Sequence, residues 1–176
     1  MMAEFELENL LPSLITGTLE IDGGAIEGES LLEVAENQID FHSIGFVSKQ
    51  QTSAQVGRGR TQGRAEVSPV TIRKFIDKSS PDIALACMKS TNFAEMVLTI
   101  WKASGDDMLD YVKIILSDVI VSRYEILGSR PNSQQIEEMV QLTFQLIEFN
   151  YTVQNEDYSA GDVMTVVFDA GKGAQA

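Results

Sequence analysis

Polar and apolar residues alternate along a short run near the middle of the chain, and this alternation restricts the fold more than any other feature. In residues 93–101, FAEMVLTIW, the side chains of Ala94, Met96, Leu98 and Ile100 share one face of an extended strand. The runs LDYVKIILSDVIVS and EEMVQLTFQLIEFNY follow it along the chain. Successive runs of this kind, separated by turn residues, predict an antiparallel, mainly β domain.

One short helix is predicted between the strands, over residues 80–89. Ser80 is expected to cap the free N–H groups at its start, and Pro81 suits the first helical position. Asp82 favours the positive end of the helix dipole, and Lys89 favours the negative end. We therefore expect a helix of about two to three turns beside the sheet.

A polar segment, residues 48–66, interrupts the strands. It has almost no apolar content, so it cannot bury itself, and it is predicted to be a long loop or an extended hairpin. Such loops often carry contacts, so it is a candidate contact segment. Its candidate contact residues are Lys49, Gln50, Arg58, Arg60 and Arg64.

The predicted fold is a mainly β, antiparallel β-barrel of two packed sheets, with one short flanking α-helix and a long extended loop. Its organisation is an acidic N-terminal extension at 1–15, a single barrel domain at 16–170 and a flexible tail at 171–176. The apolar pattern changes phase at residues 146–147, which predicts a β-bulge or bend there.

Charge is distributed unevenly along the chain, whose net charge is −13. Residues 1–48 contain ten acidic and no basic side chains, whereas residues 49–78 contain seven basic and two acidic ones. One interpretation is ordinary variation between solvated faces. The other is self-complementarity, in which a basic loop on one copy contacts an acidic face on another. The acidity as a whole argues against a nucleic-acid partner.

The residue types indicate no catalytic site, no metal site and no cofactor. The single histidine, His42, is not accompanied by a G-x-S-x-G motif, and Cys87 is expected to be a small buried hydrophobe. Asp106, Asp107 and Asp110 do not have EF-hand spacing. No apolar run reaches the roughly 18 residues that span a membrane, and no basic residue precedes the first apolar run, as a secretory signal requires. Synthesis in the cytoplasm without membrane insertion is expected.

Four blocks carry a resemblance to a known family. They are EIDGGAIEGES, FIDKSSPDIALAC, LTIWKASGDDMLDYVKIILSDVIVS and VQLTFQLIEFNY. Together they resemble the haemolysin-coregulated protein (Hcp) family, the tube-forming proteins of bacterial type VI secretion systems. The likeness extends over about residues 16–168 and is best over 67–151.

This resemblance implies a structural protein and not an enzyme. It implies a homohexameric ring, stacking of rings into a hollow tube, contractile sheath and spike proteins as partners, and effector proteins in the lumen. It also implies export through type VI secretion without a cleaved signal peptide. The loop at 48–66 corresponds to the family's contact loop between subunits and rings, and its expected acidic partners are Glu27, Glu29 and Glu33.

Two other functions remain open at the level of sequence. The first is a monomeric β-barrel that binds a small ligand in a closed apolar cavity. The second is a hydrolase that uses His42, which would require an activity that is lost when this residue is replaced.

Overall fold

The computed structural model describes residues 14–21, 24–52, 62–104, 107–129 and 133–175. These residues form one large antiparallel sheet, a separate two-stranded ribbon, one α-helix and a short 3₁₀ turn at Glu33–Ala35. The helix, α1, is Ser80–Lys89. The strands are β1 (Ile15–Ile21), β2 (Gly24–Ala25), β3 (Ile39–Phe41), β4 (Ser43–Gly45), β5 (Ser48–Thr52), β6 (Gln62–Val67), β7 (Val70–Phe75), β8 (Asn92–Ser104), β9 (Asp107–Ser129), β10 (Ile136–Thr143), β11 (Leu146–Gln154), β12 (Ala160–Asp169) and β13 (Ala174–Gln175).

The sheet is organised around β9, which is 23 residues long. Its first half pairs with β8 on one edge and with β11 on the other, and its second half pairs with β10. The strands β10 and β11 keep one register across their junction, with Thr143 opposite Ile120 and Leu146 opposite Ser117. Pairing is interrupted between them at residues 144–145, immediately before the position where the change of apolar phase predicted a bend.

The segment from β3 to β4 joins the two ends of the sheet. Through β3 it pairs with β1, and through β4 it pairs with β7. His42, between the two strands, donates its backbone N–H to the carbonyl of Arg73 at 3.0 Å. The sheet therefore curves back on itself in the order β1, β8, β9, β10, β7, β4 and β3. This arrangement confirms the predicted antiparallel barrel with one flanking helix.

The core fills the space between the inner faces of these strands and α1. Inward positions recur with period two, as β7 shows by burying Val70 and Ile72 while exposing Arg73 and Phe75. The helix contributes Ile83 and Ala86 to the core. Side chains that are fully buried in this core include Leu19, Ile39, Phe41, Phe93, Met96, Leu98, Leu116 and Leu142.

The start of α1 differs from the sequence prediction. Ser80 was expected to be the cap, but it is the first helical residue, and Ser79 precedes the helix without a side-chain capping bond. The hydroxyl of Ser80 points instead into the protein, where it donates to Glu138 Oε1 at 2.8 Å. Because the Ser80 hydroxyl makes this tertiary hydrogen bond, it does not cap the helix as the local sequence predicted.

The described C-terminal residues, up to 175, form a turn and a short strand. Residues 171–173 form a turn, and β13 returns to pair with Phe168 and Asp169 of β12. The turn is held because Asp169 accepts the backbone N–H of Lys172 at 2.9 Å, and this bond lowers the pKa of Asp169.

Candidate assembly surfaces

The predicted contact segment is a β-ribbon that continues the barrel strands. We call β5 and β6, with the residues that connect them to β4 and β7, the arm (46–52 and 62–69). At its base, Val47 donates its N–H to Ser68 Oγ and accepts the N–H of Ser68, each at 2.8 Å. β5 and β6 pair only with each other among the described strands. The sequence prediction of an extended hairpin is confirmed for these two strands.

The structure describes part of the predicted contact set. Lys49 and Gln50 are exposed on β5, opposite Glu66 and Ala65 of β6. Arg64 lies within β6, and its side chain lies outside the described residues, as do Arg58 and Arg60.

The three candidate acidic partners lie near the start of α1. Glu27 Oε2 is 3.1 Å from Lys78 Nζ, and Glu29 accepts the backbone N–H of Lys78 at 3.2 Å. Glu33 is exposed in the 3₁₀ turn. No ion pair joins these glutamates to the described part of the arm. Two of the three therefore have a partner within their own chain.

A buried ionic network fixes the helix start to the sheet, and sequence reasoning missed it. Lys74 and Glu138 are both fully buried, and Lys74 Nζ donates to Glu138 Oε1 at 2.8 Å. The same ammonium donates to Asp77 Oδ1 at 2.7 Å and to Ser80 Oγ at 3.1 Å. The hydroxyl of Tyr124 donates to the second oxygen of Glu138, and burial and this hydrogen bond raise the pKa of Tyr124. One lysine thus joins β7, β10 and α1.

A sequence signal for this network did exist. Lys74 follows Val70 and Ile72 at an inward position of β7, and Glu138 precedes Val140 at an inward position of β10. Opposite charges on the inner faces of two strands indicate a buried pair when those strands are neighbours. The register places Lys74 directly opposite Glu138.

A third carboxylate lies close to this network. One oxygen of Asp40, Oδ1, is buried without a hydrogen-bond partner. Burial raises the pKa of Asp40, and the negative charge of Asp77 acts in the same direction, while a hydrogen bond with Ser30 opposes the shift. The folded protein therefore disfavours the ionised form of Asp40, which lies close to the start of the helix.

The β12 strand forms a second candidate contact surface because one of its edges is open. It pairs with β11 along its length, but on the other edge β13 covers only Phe168 and Asp169. Val163, Met164 and Val166 are 57%, 64% and 52% exposed. An exposed apolar edge strand presents unpaired backbone groups to another chain.

One face of β12 extends the core outward. Phe168 packs against the core opposite Ile147, and Val166 and Met164 follow on the same face, opposite Phe149 and Tyr151. The opposite face is more polar, since Val163 and Thr165 lie opposite Thr152 and Asn150. The apolar face therefore continues beyond the barrel interior without a cover from the described residues.

His42 has contacts that fit a structural role. Its Nε2 lies 2.9 Å from Glu137 Oε1, and its ring packs on Phe75 with ring centroids 4.8 Å apart. Within the described ranges, no three His, Cys, Asp or Glu side chains are arranged to hold a metal ion. Those ranges also contain no helix long and apolar enough to cross a membrane.

Comparison with known proteins decides the family. Residues 18–151 match the family model described as "Type VI secretion system effector, Hcp". The chain belongs to the Hcp family. It is 31% identical to Protein hcp1 of Pseudomonas aeruginosa over 134 residues, which is 76% of this chain and 82% of that relative.

Solved structures share the fold over almost their whole length. One described as a type six secretion system protein superposes with a TM-score of 0.81 at 20% identity, covering 92% of this chain and 99% of the other. Hcp1 from Salmonella typhimurium superposes with a TM-score of 0.71 at 25% identity, with the same coverage. The type VI secretion family that the four sequence blocks indicated is therefore confirmed.

Proposed function

We propose that this Hcp-family chain is a structural subunit of the type VI secretion inner tube. In this proposal it forms hexameric rings that stack into a hollow tube and carry or chaperone effector proteins. The tube works inside a contractile sheath below a spike, and the subunit is exported with it from the bacterial cytoplasm. Its role is assembly and transport, not catalysis.

The observation that carries the proposal is the open apolar edge of β12. A ring requires one surface on each subunit that contacts a different surface on its neighbour. The exposed face of Met164 and Val166 supplies apolar area, and the unpaired edge of β12 supplies backbone hydrogen bonds. Exposed ion pairs contribute only about 0–1 kcal/mol each, so an apolar surface of this kind is needed to hold a ring together.

The arm supports the stacking part of the proposal. It projects from the barrel as a two-stranded ribbon, and Lys49 and Gln50 on it are exposed. We place Lys49, Gln50, Arg58, Arg60 and Arg64 at contacts between subunits and rings, with Glu27, Glu29 and Glu33 of another copy as partners. In this arrangement, an arm from another copy competes with Lys78 for Glu27, because Lys78 and Glu27 already form an exposed ion pair within one chain.

The first test is the native mass of the purified chain, measured together with negative-stain images. A sixfold mass with annular particles supports the proposal. A monomer at high concentration with a bound small molecule would instead favour the ligand-binding barrel.

A pair of variants tests the role of β12. Met164→Lys places a charge on the apolar face, and Val163→Lys places the same charge on the more polar face at similar exposure. Burying a methionine contributes roughly 1.5–3 kcal/mol, so the first variant should weaken each subunit contact about tenfold or more. Val163→Lys should lose much less ring mass. Equal ring mass for Met164→Lys and the unchanged chain would contradict the assignment of this face.

A further inference from the structure

Three isoleucines continue the inner faces of the barrel strands past the buried pair of Lys74 and Glu138. Ile76 follows Lys74 by two residues, just after β7 ends, and Ile136 precedes Glu138 by two residues at the start of β10. The period of two directs both toward the barrel interior. Ile76 donates its backbone N–H to the carbonyl of Ile136 at 2.9 Å, and Ile126 of β9 lies opposite Glu138. We call these three isoleucines the mouth, because they line one end of the barrel.

The mouth is apolar and remains open to solvent. Ile76, Ile126 and Ile136 are 41%, 58% and 41% exposed, although Lys74 and Glu138 on the same faces are fully buried. Exposed apolar surface that continues a core marks a contact site. A cover over the mouth also keeps water away from the neighbouring ion pair, whose attraction is stronger in drier surroundings.

The arm leaves the barrel at the opposite end of the same strands. It joins β7 immediately before Val70, whereas the mouth begins immediately after Phe75. At about 3.3 Å per residue, Val70 and Ile76 are roughly 20 Å apart along the strand. The hydrogen bonds between Val47 and Ser68 continue the β4–β7 pair away from the mouth. An arm that contacts a mouth therefore comes from another copy.

We propose that the mouth of each chain is the docking surface for the base of the arm of another copy. This rests on the proposed function, in which the arm contacts neighbouring copies, and it names the surface that receives the arm. Phe46 and Val47, at the base of the arm, pack against the three isoleucines. The contact is heterologous because two different surfaces meet, so it joins copies head to tail.

Both sides of this contact have apolar side chains in water. At the base of the arm, Phe46 and Val47 are 37% and 51% exposed. Residues 48–50, which follow them, are polar and exposed. The apolar part of the described arm is thus next to the barrel, where it can meet the end of another barrel. Docking removes apolar surface from water on both copies, which favours association.

Charge complementarity favours the arm over the other exposed apolar surfaces as the occupant. Just past the mouth, Lys78 pairs with Glu27 and donates its backbone N–H to Glu29, so two exposed glutamates lie beside the isoleucines. Residues 48–66 contain four basic and one acidic side chain. The β12 face is also apolar, but its exposed charged residue is Asp162, which the glutamates repel.

Thiol cross-linking between two variants tests the proposal. Val47→Cys and Ile136→Cys are each made in a Cys87→Ala background, expressed together with different tags, and treated with a short bismaleimide. The pair should give a cross-linked dimer that neither variant gives alone. Leu85→Cys, which is similarly exposed on α1, replaces Ile136→Cys as the matched control and should give little dimer with Val47→Cys.

The same method tests the alternative occupant and separates this inference from the ring. Cross-linking of Ile136→Cys with Met164→Cys, and not with Val47→Cys, would assign the mouth to β12 and overturn the proposal. Absence of both cross-links would overturn it as well. Native mass is measured on the same samples. A sixfold mass without the cross-link between positions 47 and 136 contradicts only this inference, whereas the cross-link without a sixfold mass contradicts only the hexameric ring.

A charge placed in the mouth gives a second measurement. Ile136→Lys puts an ammonium where the basic arm docks, and Leu85→Lys puts the same charge on α1; Tm is measured first to establish that both variants fold. Light scattering over a range of concentrations should show association between copies weakened about tenfold or more in Ile136→Lys, because the contact would bury a charge. Equal association of the two folded variants would overturn the proposal.

Discussion

Replacing Lys74 by methionine should destabilise the barrel far more than the same change at Lys78, four residues along the chain. Four oxygen atoms surround Lys74 Nζ at 2.7–3.1 Å and share its three N–H donors: the carbonyl of Phe75, Asp77 Oδ1, Ser80 Oγ and Glu138 Oε1. Its side chain is 0% exposed, as is that of Glu138. Removing the ammonium leaves the Glu138 carboxylate buried and without its counter-charge.

The magnitude follows from this burial. Breaking a buried ion pair by removing one partner costs about 3–5 kcal/mol of unfolding free energy. Lys78 and Glu27 are 42% and 76% exposed, so their pair contributes about 0–1 kcal/mol. For a protein of this size, 1 kcal/mol corresponds to roughly 2–4 °C in Tm, so Lys74→Met should lower Tm by about 6–20 °C.

Urea and thermal unfolding, followed by circular dichroism, measure this difference at equal protein concentration. The double variant Lys74→Met/Glu138→Leu is the internal check, because removing the second charge should recover part of the loss. If Lys74→Met unfolds with the same midpoint as Lys78→Met, the network does not stabilise the fold as argued.

Two further predictions concern Asp40 and the arm. Since burial raises the pKa of Asp40, the folded state binds this proton more tightly than the unfolded state, and stability is lost as the pH rises through the folded pKa. Asp40→Asn should therefore raise the urea midpoint at pH 7, with the gain disappearing below about pH 4, and an equal gain at both pH values would contradict this reasoning. Reversing Arg58, Arg60 and Arg64 to Glu should abolish tube stacking in negative-stain images without changing Tm. Unchanged stacking would contradict the proposal that these arginines hold neighbouring rings together electrostatically.

Local sequence pattern predicted the elements of this fold well and their pairing less well. The alternation in β8 and the Ser-Pro-Asp start of α1 depend on neighbouring residues, so they were visible in the sequence. The three partners of β9 and the joining of β1 to β7 through residues 39–45 depend on contacts between distant residues. A single sequence carries only indirect information about such contacts.

The candidate surfaces show the same division. Composition identified the arm because this polar, basic segment has almost no apolar side chains to bury. It did not identify β12 as an edge, since DVMTVVFD has the composition of an interior strand. The burial of Lys74 was missed because the local pattern does not show that β7 pairs with β10, and because Ser80 was assigned to capping.

The composition of β12 argues that its open edge is an interface. Edge strands that must remain alone are protected by charges, prolines or a cover of other chain. β12 has no proline, and its one exposed charged side chain is Asp162, beside the exposed Val163 and Met164. The face that presents Met164 and Val166 is continuous with the core through Phe168, so a partner there would extend the packing that already holds the barrel. A lone chain would keep this surface in water, whereas the proposed ring contact would bury it.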